Sequence, residues 1–274
     1  MQTTDWAPFP HDATPFTYSG KSLEKNWKAL HAGDREPFPD AARAGAIGLK
    51  PAEQCAEQLA EAWRLFHAGD FAAAVDRAES VGMGAHAVAN KASGIYADYL
   101  VDDETEQELI YKAGIARAET AMDQFPEDAN AHYFHAFLLG RYSQCISIAK
   151  ALAQGVGGRI RASLERALEL EPEHAEAHTA MGLYHAEIID KVGKMVGSMT
   201  YGASADKAMK HFEQALELTP NAPIAHIEYG NGLYLLFGDK RLEDSNAAYE
   251  RAANIEPIDA MQRLDVDYAR SCLE

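Results

Sequence analysis

The sequence predicts an all-α protein, a right-handed solenoid of helical hairpins with elongated units. Three observations predict it. The first is recurrence. ALELEPEHAEAH at residues 167–178 returns as AMDQFPEDANAH at 121–132, as ALELTPNAPIAH at 215–226 and, decayed, as AANIEPIDAMQR from Ala252. Each copy reads as the end of one helix, a proline break and the start of the next. The second is apolar residues at helical spacing, for example Leu59, Ala62, Trp63 and Phe66. The third is punctuation: Pro51 suits a first helical turn and Gly69 suits the left-handed residue that ends a helix. Units of this kind bury their apolar faces only against their neighbours, so the usual length-based count of domains does not apply.

In chain order, residues 1–50 differ from the rest. Pro8, Pro10, Pro15, Pro37 and Pro39 interrupt long helices, and Trp6, Phe9, Phe16, Tyr18 and Trp27 are interleaved with them. Disordered tails are poor in aromatics, so this stretch reads as an arm docked on the body, with a short helix over 22–31. Trp27 to Asp34 reads W-x3-HAGD, and Trp63 to Asp70 repeats it. Either the first is a degenerate repeat, or a helix-ending turn was used twice. Residues 51–258 form the repeats. Helices are expected over 84–101 and 105–124, the latter opened by Thr105 and Glu108 at capping-box spacing. Residues 259–274, with Asp265, Asp267 and Arg270, suit a helix that caps the open end of a stack.

Composition narrows the function. The chain has 274 residues, 47% hydrophobic and 24% charged, with a net charge of −17. Enough apolar residues are present to bury a core. A strongly acidic chain is a poor partner for nucleic acid or for an anionic membrane. The start, MQTTDWAPFPHD, has neither a basic nor an apolar signal region, and no run approaches the roughly 18 apolar residues of a membrane span. Cys55, Cys145 and Cys272 are odd in number and widely spaced, which fits neither a disulfide framework nor a zinc site. A cytoplasmic protein with reduced cysteines is expected.

The repeated stretch carries the signature of the tetratricopeptide repeat, which places small residues at positions 8 and 20, Ala at 27 and Pro at 32. With Pro126, Pro172, Pro220 and Pro257 at 32, Ala121, Ala167, Ala215 and Ala252 fall at 27 and Ala208 at 20. Phe212 and Tyr249 fall at the aromatic position 24, and Ala136, Gly182 and Gly230 at the small position 8 of the following unit. The prolines lie 46, 48 and 37 residues apart, so the units exceed the family's 34-residue period by inserts between positions 8 and 20. Such long units, with Tyr201, Gly202, Ala203 and Ser204 before KAMKHFEQALELTP at 207–220, resemble two families. One is the T-component proteins associated with TRAP transporters. The other is the regulator-of-microtubule-dynamics family. The resemblance implies an α-helical solenoid with an adapter role.

The inserts are the candidate site. Residues 141–164 contain Arg141, Lys150, Arg159 and Arg161 and no acid until position 165. Residues 191–205 contain Lys191 and Lys194 and again no acid. With Tyr142 and Tyr201, these side chains could form a mouth for a carboxylate, a phosphate or an acidic peptide, Arg159 or Arg161 acting as a bidentate clamp. On the other reading, Ile146, Ile148, Leu152, Val156, Ile189, Val192 and Met195 extend the core while the cations snorkel into water. Histidines 132, 178 and 226 share one repeat position, which favours a recurring structural imidazole over a metal site. No metal or other cofactor is expected. Catalytic motifs are missing: no GxSxG, HExxH or phosphate-loop pattern occurs, so the chain is not expected to be an enzyme. The expected function is a protein–protein interaction adapter holding a partner peptide or helix in the solenoid groove, with the arm across that groove. The alternative is a binding protein for a small anionic ligand at the insert edge.

Overall fold

A computed structural model describes residues 3–274; the first two residues of the predicted arm, Met1 and Gln2, lie outside the described residues. Helix makes up 76% of the chain and no strand occurs among the described residues, so the protein is all-α. The chain forms two compact units. The first holds residues 35–147 and 258–261 with the described part of 1–31, and the second holds residues 32–34, 148–257 and 262–274.

In the first unit the helices are α1 (Ser22–Leu30), α2 (Ala41–Ala46), α3 (Ala52–Ala68), α4 (Phe71–Val81), α5 (His86–Leu100), α6 (Glu104–Gln124) and α7 (Ala129–Gln144). Neighbours in sequence from α2 to α7 are neighbours in space. Their ends follow local chemistry. Gly69 closes α3 with a φ of +88°, and the Asp70 carboxylate then accepts the Ala73 N–H at 3.1 Å to open α4. Asp103, not the expected Thr105, caps α6 by accepting the Glu106 N–H at 2.8 Å. The carboxylate two residues earlier reaches the free amides and leaves Thr105 inside the helix.

Aromatic residues of the arm pack within this unit. Trp6 stacks on Tyr96 with ring centres 3.9 Å apart, the Ala7 N–H donates to the Tyr96 hydroxyl at 2.9 Å, and Phe16, Leu23, Trp27 and Leu30 are buried. The two W-x3-H stretches lie against each other. Trp27 meets Trp63 edge to face at 5.9 Å, and His31 meets His67 with Nε2 atoms 3.3 Å apart. His67 donates its Nδ1–H to the Asp259 carboxylate at 2.9 Å. Equivalent residues of the two stretches thus touch their counterparts, at the end of α1 and within the last turns of α3.

The second unit is built from α8 (Ile148–Ala153), α9 (Val156–Leu170), α10 (Ala175–Val192), α11 (Lys194–Tyr201), α12 (Ala205–Leu218), α13 (Pro223–Phe237) and α14 (Leu242–Ala253), followed by α15 (Ala260–Ser271), which belongs to it from Gln262 onward. Here α10 packs on α9, α11, α12 and α13, and α13 packs on α14. This is the successive packing of an all-α solenoid. The small residues at repeat position 8 are explained by what faces them. A Cβ on Gly182 would lie 2.8 Å from the ring of Phe212, and Phe212 itself is fully buried. Only a residue without a side chain admits that ring to the helix crossing. The inserts are not plain extensions of the repeat helices. Each contributes a short separate helix, α8 or α11, with Gly155, Gly193 and Gly202 at positive φ marking the breaks.

Candidate functional site

The insert edge of the second unit is assembled from four elements. Residues 148–161 supply α8 and the first turns of α9, residues 184–193 the last turns of α10, and residues 194–204 supply α11 and the turn after it. Gly157 at the start of α9 faces Tyr201 at the end of α11, with room for only 3.3 Å between a Cβ there and the Tyr201 ring. The two inserts therefore touch. Ile188 of α10 packs beneath both, against Gly157 and Gly197.

Three donors converge on the turn at 201–202. Arg161 Nη1 donates to the Tyr201 carbonyl at 3.2 Å, and the Tyr184 hydroxyl donates to the same oxygen at 3.3 Å. Lys207 Nζ donates to the Gly202 carbonyl at 3.2 Å. Burial and nearby Tyr201 and Glu165 push the Tyr184 phenol up to about 12, against the pull of Arg161. It stays a donor at every physiological pH.

Six of the eight sequence-predicted site residues fall in this unit. Arg161 and Tyr201 are brought together, as above. Lys150, Arg159, Lys191 and Lys194 are exposed. The other two belong to the first unit: Arg141 pairs with Asp98 at 2.9 Å, and Tyr142 is buried with the Lys112 ammonium over its ring. The inserts are acid-free in sequence but not in space. Arg161 Nε donates to Glu165 at 2.7 Å and Lys191 to Glu187 at 2.8 Å, each carboxylate one helical turn away and just outside the insert. Asp98 is largely buried, and burial lifts its carboxyl against the pull of Arg141 and the Tyr111 hydroxyl.

Of the apolar insert residues, Val156 is buried, whereas Ile148 and Leu152 on α8 stand about half exposed. On α11 the exposure is larger: Met195 is 73% exposed, Met199 83% and Val196 46%. Positions 195, 196 and 199 share one helical face, so α11 turns an apolar stripe outward, with exposed Lys194 at its start and exposed Lys191 in the last turn of α10.

The sequence points only indirectly to a cluster beside this edge. His132, His178 and His226 each donate Nε2–H to the carbonyl of the proline six residues earlier, at 2.9, 3.0 and 2.9 Å. That bond fixes the tautomer and leaves Nδ1 bare. Only at His178 does the structure place another imidazole there: His211 Nδ1 is 2.9 Å away and must carry the shared proton. His185, one ring further on, is 6.0 Å from His211 between ring centres. It is buried, and its Nδ1 meets no hydrogen-bond partner among the described residues. Burial, then His211, Lys207 and Arg161, hold His185 down to about 4. Burial, then His178 and Lys207, do the same to His211. Burial lowers the His178 imidazole as well, against its bond to the Pro172 carbonyl. Among the described residues no three His, Cys, Asp or Glu side chains are gathered as a metal cage, and no helix is long and apolar enough to cross a membrane.

Comparison with known proteins gives the surroundings of this edge a family. Over 127 residues the chain is 25% identical to regulator of microtubule dynamics protein 3 of Rattus norvegicus and 24% identical to that of Bos taurus. Each match covers 44% of this chain and 26% of the relative, so the chain matches about a quarter of the length of these curated relatives. The family model for regulator of microtubule dynamics protein 1-3 matches residues 83–260, which takes in both inserts and the three proline–histidine copies. The chain belongs to the regulator of microtubule dynamics protein 1-3 family.

Proposed function

We propose that the chain is a non-enzymatic, cytoplasmic protein-interaction adapter that holds an amphipathic, acid-bearing helix or peptide of a partner protein. The apolar stripe of α11 carries this reading. A soluble chain rarely turns three large apolar residues outward on one short helix unless something covers them. Methionines in particular adapt to differently shaped partners. In a chain of net charge −17, the inserts are where acids of a partner meet least repulsion. Lys191 at the end of α10, Lys194 at the start of α11, and Lys150 and Arg159 on the neighbouring insert supply the polar rim. A groove elsewhere on the solenoid has less to recommend it, because among the described residues no other helix exposes three large apolar side chains. The relatives' name directs the first trial toward microtubules.

The test is co-sedimentation with polymerised tubulin, alongside pull-down from a lysate, for the wild-type chain and for Met195→Lys/Met199→Lys. Both side chains are exposed, so the double variant keeps its fold, checked by circular dichroism. A partner retained by the wild type and lost by the variant is the expected result. Equal retention of every partner by both proteins sinks the reading.

A further inference from the structure

The turn at 201–204 and the histidines beside it are not used by the α11 stripe, and they share one property. Basic groups from three helices gather here. Arg161 comes from α9, His178 and His185 from α10, and Lys207 and His211 from α12; the Glu165 carboxylate is paired with Arg161, and Asp206 precedes Lys207 at the start of α12. Tyr184 and Tyr201 complete the surroundings, with phenols rather than charges. Such a gathering opposes itself. The imidazoles are kept neutral partly because Lys207 and Arg161 stand near them.

The donors are arranged rather than scattered. The carbonyls of Tyr201 and Gly202 hold the guanidinium and the ammonium side by side, through Arg161 Nη1 and Lys207 Nζ. Those bonds use one N–H of the ammonium and leave Arg161 Nη2 available. Gly202 has a φ of +62°, and a Cβ there would stand 2.9 Å from Arg161 Nη1, so glycine is what lets the guanidinium close on the turn. The deepest member is His185, buried, with the unpartnered Nδ1. The half-exposed rings of His178 and His211 and the exposed Lys207 stand above it. A buried imidazole nitrogen without a partner is uncommon in a folded protein, and here it lies among cations.

We propose that Arg161, Lys207, His185 and His211, set around the turn at Gly202, form a binding site for a doubly charged oxyanion, the phosphate group of a ligand. Arg161 Nη2 and Lys207 donate to it as charge-assisted hydrogen bonds. The bound charge reverses the balance that keeps the imidazoles neutral, so His185 or His211 takes up a proton from solvent and donates as well. Binding is therefore coupled to proton uptake, and affinity for an oxyanion that keeps its double charge rises as the pH falls from 7 to 5.

The test uses the full chain and follows thermal unfolding and calorimetric binding with inorganic phosphate and with sulfate, at ionic strength matched with chloride. Sulfate keeps its double charge across this pH range, so it reports the protonation of the protein alone. Phosphate and sulfate are expected to stabilise where chloride does not, with sulfate affinity roughly tenfold higher at pH 5.5 than at pH 7.5. Arg161→Ala, Lys207→Ala and Gly202→Ala each weaken binding by about tenfold or more. His226→Ala, at the same repeat position as His178 but outside the cluster, leaves it unchanged. His185→Phe/His211→Phe removes both imidazoles and with them the pH dependence. Glycerol phosphate in solution and vesicles carrying phosphomonoester headgroups distinguish the source, since only the species that is the ligand outcompetes sulfate at micromolar concentration. The proposal is overturned if phosphate and sulfate act no differently from chloride, or if the folded Arg161 and Lys207 variants bind as the wild type does.

Discussion

Each unit holds a pair of histidines in hydrogen-bond contact, and the two pairs are built to opposite ends. In the first, His31 and His67 are both nearly inaccessible, the ring of Trp27 lies over His31 with centres 4.0 Å apart, and the Asp259 carboxylate accepts from His67. In the second, His178 and His211 are half open, a backbone carbonyl anchors one of them, and the charged neighbour of His211 is Lys207 rather than an acid. A buried polar chain that ends on a carboxylate is complete, and every proton in it has an acceptor. A half-open chain among cations is incomplete. The first has the chemistry of a staple, and the second that of a site waiting for negative charge.

Breaking the staple has the largest expected effect. Asp259→Ala removes the acceptor of a fully enclosed N–H and leaves His67 with no way to reach water. A loss of about 3 kcal/mol is expected in urea unfolding. Asp259→Asn keeps an oxygen acceptor in place and should recover at least half of that. If the two variants are equally destabilised, the carboxylate charge rather than the hydrogen bond is what the pair requires.

The next effect distinguishes the pairs by pH. His185 and His211 are held at about 4 in the folded chain, whereas an unfolded histidine titrates near 6.5. Below pH 6.5 the unfolded chain binds protons that the folded chain refuses. Stability is therefore complete above pH 6.5, falls as the pH drops toward 4 and levels off beneath it. Solvent reaches part of this cluster, so the loss between pH 7 and pH 5 is discounted to about 2 kcal/mol for both rings together. In His185→Phe/His211→Phe this part of the acid limb disappears, as comparison of urea midpoints at the two pH values will show. Saturating sulfate should flatten the same limb in the wild type. An acid limb identical in wild type and variant places the titration elsewhere.

The contrast also shows what a sequence can and cannot display. The proline copies with their following histidines set the repeat register, and the register located Gly182 where the Phe212 ring needs it. Those features are local or periodic, and periodicity is visible in one dimension. The partner of His178 is not. His211 lies 33 residues on, at a repeat position where the other copies carry no histidine, so only folding brings it opposite. The same limit governs the inserts. A stretch without acids looks electropositive until helical geometry brings Glu165 and Glu187 one turn back onto Arg161 and Lys191. Arg141, seven residues before α8, meets an acid 43 positions upstream at Asp98. The exposed stripe of α11 was hidden for another reason: one reading of the insert placed Met195 in an extended core, whereas the break at Gly193 starts a separate helix that turns it outward with Met199.

The smallest effect is the most diagnostic. His226→Ala deletes one hydrogen bond to the Pro220 carbonyl and should be destabilising by about 1 kcal/mol. His178→Ala deletes the equivalent bond to Pro172 and, in addition, the acceptor of the His211 proton. Its excess over His226→Ala is therefore the worth of the second pair, expected at roughly 0.5–1 kcal/mol at pH 7.5. A double-mutant cycle between His178 and His211 measures the same quantity directly. Because the two copies share the proline, the carbonyl and the tautomer, everything common to the repeat cancels in the difference. A coupling near zero means that the imidazoles are adjacent without depending on each other, and the distinction between staple and open site then rests on burial alone. A coupling that weakens when sulfate is added means that the ligand has drawn His211 away from His178, which is what an incomplete chain among cations is arranged to allow.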